Sequence, residues 1–223
     1  MMFASRFIDI HVHAMPQCAD SQNRMSLAAA RMGYTGICVA NLPEFITGAA
    51  SGTSGIGAEV RLGVELCPDK PSRLEKDIAK YGQQFDVIIV RGGSEELNEA
   101  ALKSSRVDIL ENPLEFNHVL AKLARDNHIA LGFNIGGLLL RGSQRIQALS
   151  MHRKNLMLAR KYGVPVVLAS GARSHYDLRA PREMAALAML FGMTLEESVR
   201  ALSTTPLDIL NKGRLMQGLE VVV

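Results

Sequence analysis

The chain has 223 residues, of which 48% are hydrophobic and 21% charged, and its formal net charge is +3. This length fits one domain with a full hydrophobic core, and no apolar run approaches the ~18 residues of a membrane-spanning helix. Three cysteines without CxxC spacing exclude a paired disulfide framework and an ordinary structural zinc site, and the N-terminal sequence lacks the apolar stretch of a signal peptide. We therefore expect a soluble, cytoplasmic protein without a membrane partner.

Short runs of β-branched and apolar residues predict the strands. Several of these runs are apolar at every position, which is typical of parallel strands buried on both faces. The predicted strands cover residues 7–13, 36–41, 61–67, 87–91, 107–111, 130–135 and 164–170.

Helical patterns fall between most of these strands and after the last one. One of them begins at Pro71 and ends at Gly82, and another opens with a capping box formed by Thr194 and Glu197. The predicted helices cover residues 23–33, 71–82, 94–104, 116–128, 145–163, 181–192 and 194–203.

The alternation of strands and helices predicts a parallel sheet with crossover helices. The sequence contains no GxGxxG fingerprint and no P-loop, so a barrel is favoured over an open, doubly wound sheet. Seven strands are one fewer than a regular barrel of this type has. We therefore expect an irregular or partly open TIM-like α/β barrel that forms a single domain over residues 1–223. By composition, residues 47–57 form a mobile loop and residues 136–144 a second loop.

The first predicted strand carries two histidines near its carboxyl end. Strict alternation would place Asp9, His11 and His13 on one face of that strand, where Glu65 of the third strand could join them. Imidazoles and carboxylates at strand ends suit a metal site in a barrel. The alternative is a structural role, in which the two histidines form hydrogen bonds inside the barrel. The loops after the other strands offer few further ligands, His175 among them, so the sequence leaves both interpretations open.

A basic segment, residues 141–182, contains nine Lys or Arg and one acidic residue, Asp177, which gives it a local net charge of +8. Clustered cations of this kind indicate a phosphate-rich partner, most commonly nucleic acid, although a solvated helix face is the alternative. Helical spacing places Arg145, His152, Arg153 and Arg160 within one arc of the fifth predicted helix. The candidate RNA-binding residues are Arg141, Arg145, Arg153, Lys154, Arg160, Arg173, His175, Arg179 and Arg182. Asp177 could instead pair with one of the loop arginines and hold that loop.

Several segments resemble a known family. They are RVDIL from Arg106, NHVLAKL from Asn117, the run from Arg153 to Arg182 and ALSTTPLDIL from Ala201. Together they resemble the RNase P protein component 3 family, the thirty-kilodalton subunits of archaeal and eukaryotic ribonuclease P. SGARSHYDLRAPR, within the third segment, is the most specific part, and the chain's length and charge are typical of the archaeal form.

The resemblance implies a barrel related to the polymerase-and-histidinol-phosphatase (PHP) metallohydrolases. It also implies a protein subunit of the ribonucleoprotein that removes the 5′ leader from precursor tRNA. In that enzyme the RNA subunit cleaves, using bound Mg²⁺, so this chain is expected to supply no catalytic residue and to require no cofactor. The implied partners are RNase P RNA, precursor tRNA, RNase P protein component 2 in a heterodimer or heterotetramer, and other protein subunits.

The resemblance also implies roles for particular residues. Arg153, Arg173, Arg179 and Arg182 match arginines of the family and would contact RNA or a partner. His11, His13 and Glu65 match the start of the PHP ligand pattern, whereas the later ligands do not match. The retained residues would then be a remnant of a metal site. The alternative function is that of a stand-alone PHP-type metal-dependent phosphoesterase or nuclease.

Overall fold

The computed structural model describes residues 6–46 and 57–216, with the backbone alone for residues 213–216. Seven strands form one sheet in sequence order, and every neighbouring pair is parallel. The strands are β1 (Ile8–Val12), β2 (Gly36–Asn41), β3 (Glu59–Leu66), β4 (Val87–Arg91), β5 (Ile109–Glu111), β6 (Ala130–Asn134) and β7 (Val166–Ala169).

Helices lie between most of the strands and after the last one, and all but the last helix pack on the outside of the sheet. They are α1 (Gln22–Arg31), α2 (Pro71–Tyr81), α3 (Glu95–Lys103), α4 (His118–Asp126), α5 (Ser143–Tyr162), α6 (Pro181–Met189), α7 (Leu195–Leu202) and α8 (Thr204–Met216). Short 3-10 turns span Pro43–Phe45 and Ile135–Leu139. The side chains of Ser21, Ser94 and Asn117 accept hydrogen bonds from the first turns of α1, α3 and α4, which fixes where these helices begin.

The sheet curls until its first strand meets the segment that follows its last. Gly171 N donates to His11 O at 3.0 Å, and His13 N donates to Ala172 O at 2.8 Å. Val12 and Ala172 form a parallel bridge at the same place. The result is the nearly closed, irregular α/β barrel that the sequence predicts.

Apolar side chains fill the barrel interior at the end where the strands begin. Strand residues such as Ile10, Ala40 and Ile89 form one buried cluster with Ile209 and Leu210 of α8. A larger apolar core lies between the sheet and the outer helices. Because the amino-terminal end of the barrel is packed in this way, the open mouth lies at the carboxyl ends of the strands, where barrels of this type carry their functional groups.

The structure differs from the sequence prediction in two elements. The sequence predicts a loop over residues 136–144, but the 3-10 turn covers residues 135–139 and α5 already begins at Ser143. Helix α8 is not predicted by the sequence pattern. The predicted mobile loop 47–57 lies outside the described residues except at its last position. No helix in the described part of the chain is long and apolar enough to cross a membrane.

Candidate functional site

A ring of polar side chains lines the mouth of the barrel. Arg91, Glu111 and Asn134 are the last residues of β4, β5 and β6, and Glu65 is next to last in β3. Arg91 pairs directly with Glu111 in the register of β4 and β5. The carboxyl ends of parallel strands therefore bring these residues to one level, together with His11 of β1 and His13 just after it.

A bulge in β1 decides which of its polar residues join this ring. Asp9 pairs with Ile37, and Val12 pairs with Val39. Between these two pairs the chain advances three residues in β1 but only two in β2, which is a β-bulge. Ile37, Val39 and Val12 pack outside the barrel in the cluster that includes residues of α1. Asp9 therefore does not share the face of His11 and His13, contrary to the simple alternation. Its Oδ1 atom accepts instead from Ser170 N at 3.1 Å and from His11 N at 3.4 Å.

A chain of hydrogen bonds orients His11. Its Nδ1 atom donates to Glu111 Oε1 at 2.7 Å, and Asn134 Nδ2 donates to Glu111 Oε2 at 3.2 Å. Burial by itself lowers the pKa of His11, but the carboxylate of Glu111, together with those of Glu65 and Asp9, outweighs burial and raises the pKa to about 9. Burial also opposes ionisation of Glu111, yet the positive charge of His11 holds the pKa of this carboxyl below its usual range. The pair is therefore a buried ion pair at neutral pH.

The pKa of His13 is shifted in the opposite direction from that of His11. Burial, followed by the charges of His11 and Arg173, lowers the pKa of His13 to about 3, so the ring is neutral. The rings of His11 and His13 meet edge to face, with centroids 4.7 Å apart. The Nε2 atoms of both lie 3.9 Å from Glu65 Oε2, while Arg91 Nη2 donates to Glu65 Oε1 at 2.5 Å.

Imidazole nitrogens and a carboxylate at the mouth suit a divalent metal ion. One ligand atom each from His11, His13 and Glu65 lies within 4.8 Å of the others. The buried atoms His11 Nε2, His13 Nδ1 and Glu65 Oε2 have no hydrogen-bond partner among the described residues. Three protein ligands with a carboxylate behind one histidine are a common arrangement for zinc, so the residue types fit a single divalent ion. Such an ion would activate a water molecule there.

Sequence reasoning missed three members of this ring. Arg91 and Glu111 each end a run that predicts a strand, and Asn134 is next to last in another. Asp108, the other acidic residue of the fifth run, lies at the opposite end of β5, where it accepts from Ile88 N at 2.9 Å. A charged or amide residue closing an apolar run is the signal that would have found the three, because strand ends meet at the barrel mouth.

The basic segment divides between α5 and the loop that follows β7. Since α5 runs back from the mouth, Arg141 and Arg145 lie near the mouth, and Arg160 lies near the opposite end. The guanidinium of Arg160 donates to both carboxylate oxygens of Glu197 at 2.7 and 2.6 Å and to Gly192 O at 2.5 Å. These hydrogen bonds lower the pKa of Glu197 to about 2 and tie α5 to the start of α7.

The other cations of this part of the segment lie on α5 or, for Arg141, just before it. Arg141 and Lys154 are exposed, Arg145 Nε donates to Leu140 O at 2.7 Å, and Arg153 Nη2 reaches Leu190 O at 3.4 Å. His152 does not belong to this row, contrary to the predicted arc. It is fully buried between the rings of Phe133 and Phe191, and burial lowers its pKa to about 4.

The loop between β7 and α6 brings the remaining candidates to the mouth. Arg173 is exposed, and its backbone N–H donates to Asp177 Oδ2 at 3.1 Å. Asp177 thus holds the loop through the backbone, without an ion pair to that guanidinium. Arg179 Nη1 turns back to the carbonyls of Tyr176 and Leu178 at 2.9 and 2.8 Å. His175 binds the carboxylate of Asp20 through Nδ1 at 2.7 Å, and Arg182 is exposed in the first turn of α6.

The fold and the site define a class: irregular α/β barrels that carry histidines and carboxylates at the mouth, with a basic surface beside them. The family model described as RNase P subunit p30 matches residues 6–217. A curated relative, ribonuclease P protein component 3 of Methanosarcina mazei, is 42% identical over 97% of this chain and 95% of its own length. The chain therefore belongs to the RNase P p30 family, and the sequence resemblance is confirmed.

Two solved structures share the fold. A chain of an archaeal ribonuclease P, determined by cryo-electron microscopy with mature tRNA, superposes with a TM-score of 0.79 and 23% identity, covering 97% of this chain and 98% of that one. A Listeria monocytogenes protein described as a histidinol phosphatase gives a TM-score of 0.53 at 12% identity, covering 77% and 97%. As a member of its family, this chain is a protein subunit of ribonuclease P, the endoribonuclease whose RNA catalyses maturation of the tRNA 5′ end.

Proposed function

We propose that this chain is an RNA-binding accessory subunit, which helps RNase P RNA to fold and to hold precursor tRNA at lower Mg²⁺. The observation that carries the proposal is the family match over residues 6–217 in a barrel whose mouth is rimmed by exposed arginines. Arginine forms fork-shaped hydrogen bonds that suit phosphate. The chain supplies no catalytic residue and needs no cofactor of its own, because Mg²⁺ serves the RNA subunit.

A second surface supports a protein partner, which we assign to RNase P protein component 2 in a heterodimer or heterotetramer. Ile146 and Met157 of α5 are 68% and 64% exposed, and helical spacing places them on one stripe with Arg153. Leu190, 57% exposed, lies beside this stripe, because its carbonyl accepts from Arg153. Apolar side chains interleaved with cations suit a protein surface better than a row of phosphates. Other protein subunits could bind elsewhere on the outer helices.

The test is cleavage of the 5′ leader from a precursor tRNA at low Mg²⁺. RNase P RNA and protein component 2 are assayed with and without this chain, beside a reaction that lacks the RNA. Stimulation that disappears when the RNA is omitted is the expected result. Equal rates with and without the chain would refute an accessory role.

A second candidate function is that of a stand-alone metal-dependent phosphoesterase, which the cluster of His11, His13 and Glu65 favours. In that case the chain would hydrolyse phosphoesters without RNA, and His13→Ala would abolish the activity. Arg91 weighs against it, because its guanidinium already neutralises one oxygen of Glu65. Leader cleavage by the wild-type chain in the reaction without RNA would establish this function instead.

A further inference from the structure

Among the residues described by the structure, Tyr176 is the one tyrosine or phenylalanine whose side chain is exposed. It is 78% exposed, whereas the other described phenylalanines and tyrosines are buried or half-buried. It lies in the loop between β7 and α6, at the mouth of the barrel. An aromatic ring held in water at a functional face offers a flat, apolar surface with a polar hydroxyl to a partner.

The loop holds this ring in a fixed place. The His175 ring packs against one side of Tyr176, with centroids 3.9 Å apart and planes inclined by 39°. His175 is itself fixed by the buried carboxylate of Asp20, which accepts from its backbone N–H and from Nδ1, both at 2.7 Å. Ser174 Oγ accepts from Tyr176 N at 3.1 Å. The ring is therefore supported from beneath, and its exposure leaves the other face to solvent.

Three arginines lie in the same loop or against His175. Arg24 Nη2 donates to His175 Nε2 at 3.3 Å, and Arg179 Nη1 donates to the carbonyl of Tyr176. Arg173 is exposed three residues earlier in the same loop. An unpaired nucleotide presents a flat base next to a phosphate, and a rigid aromatic face next to guanidinium groups complements both.

We propose that Tyr176 stacks on an unpaired base of an RNA strand, with Arg24, Arg173 and Arg179 placed to contact the neighbouring phosphates. Tyr176 offers one aromatic face, so we assign one stacked base to it. The proposal rests on the RNA-binding function proposed above and adds a recognition residue to it.

The test compares Tyr176→Ala and Tyr176→Phe with the wild-type chain for binding to labelled RNase P RNA. Tyr176→Ala should weaken binding about fivefold or more, the change that ~1 kcal/mol of base stacking represents. Tyr176→Phe should bind like wild type, because it keeps the ring. The salt dependence of binding should be the same for all three, since stacking releases no counterions. Leu195→Ala, a change at an exposed leucine of α7, is the matched control.

Chemical probing of the RNA adds a second readout. One unpaired base should be protected by the wild-type chain and by Tyr176→Phe, and become reactive with Tyr176→Ala. Wild-type affinity for Tyr176→Ala would overturn the stacking site while leaving the accessory function intact. Equal losses for the Phe and Ala variants would also overturn it, because they would assign the effect to the hydroxyl group. Weaker binding of protein component 2 with unchanged RNA affinity would make Tyr176 a protein contact. A wild-type chain that does not bind the RNA would refute the RNA-binding function itself.

Discussion

At the residue scale, the ion pair of His11 and Glu111 links the stability of the barrel to pH. The pKa of His11 is raised to about 9, so its contribution is complete below the unfolded value of ~6.5 and is lost as pH rises through 9. The pKa of Glu111 is lowered, so its contribution is present above the unfolded value of ~4.3 and is lost on acidification. The pair therefore stabilises the fold most between these two unfolded values.

We predict that the free energy of unfolding of the metal-free chain falls between pH 6.5 and pH 9, by roughly 2–3 kcal/mol from this pair. Glu111→Gln should be less stable at pH 6.5 and should lose most of this decline, because His11 then loses the carboxylate that contributes most to keeping it protonated. Urea unfolding in the presence of a chelator measures both effects. Glu96→Gln, on the exposed side of α3, is the control. A variant at Glu111 that retains the full decline would refute the pairing.

Arg91 decides how well the neighbouring ligands accept a metal ion. Its guanidinium binds Glu65 Oε1, and its charge, with that of Arg173, adds to the positive potential at His13. We predict that Arg91→Ala binds Zn²⁺ at least tenfold more tightly than wild type, and that both bind more tightly at pH 8.5 than at pH 6.5. A metal ion must displace the proton from His11, which explains the dependence on pH.

Competition with a chromophoric chelator would measure these zinc affinities. His13→Ala in the Arg91→Ala background should remove the gain, while Arg125→Ala, at an exposed position on α4, should match wild type. If removing Arg91 leaves zinc affinity unchanged, the guanidinium does not control the site.

The sequence alone identifies His11, His13 and Glu65 as candidate ligands, because their residue types suggest metal binding. The contact of Glu111 with His11 forms only when the barrel closes and brings β1 opposite β5, and that of Arg91 with Glu65 only when β3 and β4 pair.

At the scale of elements, α8 completes the barrel by closing its amino-terminal end. Ile209 and Leu210 of this helix join strand residues in the interior cluster. We predict that Leu210→Ala lowers the free energy of unfolding by about 2–4 kcal/mol, the usual cost of a cavity at a buried leucine. Leu195→Ala, at a 45% exposed position, should cost less than ~0.5 kcal/mol. Urea denaturation separates the two, and equal small losses would show that α8 does not support the core.

The strands were predictable and α8 was not, for physical reasons. All seven strands coincide with apolar runs, because strands buried on both faces leave a continuous signal. Pro206 and the short polar stretch before it suggest an end to the helical region, yet α8 begins at Thr204, and proline is tolerated within a helix's first turn. The bulge in β1 leaves no trace in composition, so the separation of Asp9 from His11 and His13 emerged only from the register with β2.

At the scale of the whole molecule, the sequence located the basic segment but could not divide it between surfaces. In the fold, Arg141 and Arg173 lie near the mouth, whereas Arg160 pairs with Glu197 near the other end of the barrel. Charge clustering along a sequence cannot make this distinction, because it depends on the direction in which α5 runs. The two groups of arginines should therefore behave differently in RNA binding, although they look equivalent in the sequence.

We predict that Arg141→Ala and Arg173→Ala each make the salt dependence of RNase P RNA binding shallower, by about 0.7–0.9 in the slope of log K against log salt for each phosphate that the variant no longer neutralises. Arg160→Ala should leave that slope unchanged and instead lower the free energy of unfolding by about 1 kcal/mol, because its exposed ion pair and its hydrogen bond to a carbonyl join α5 to α7. Filter binding over a range of salt concentrations, with urea unfolding of each variant, measures both quantities. If Arg160→Ala flattens the slope as much as Arg173→Ala does, the RNA reaches the far end of α5, and the mouth is not its principal contact surface.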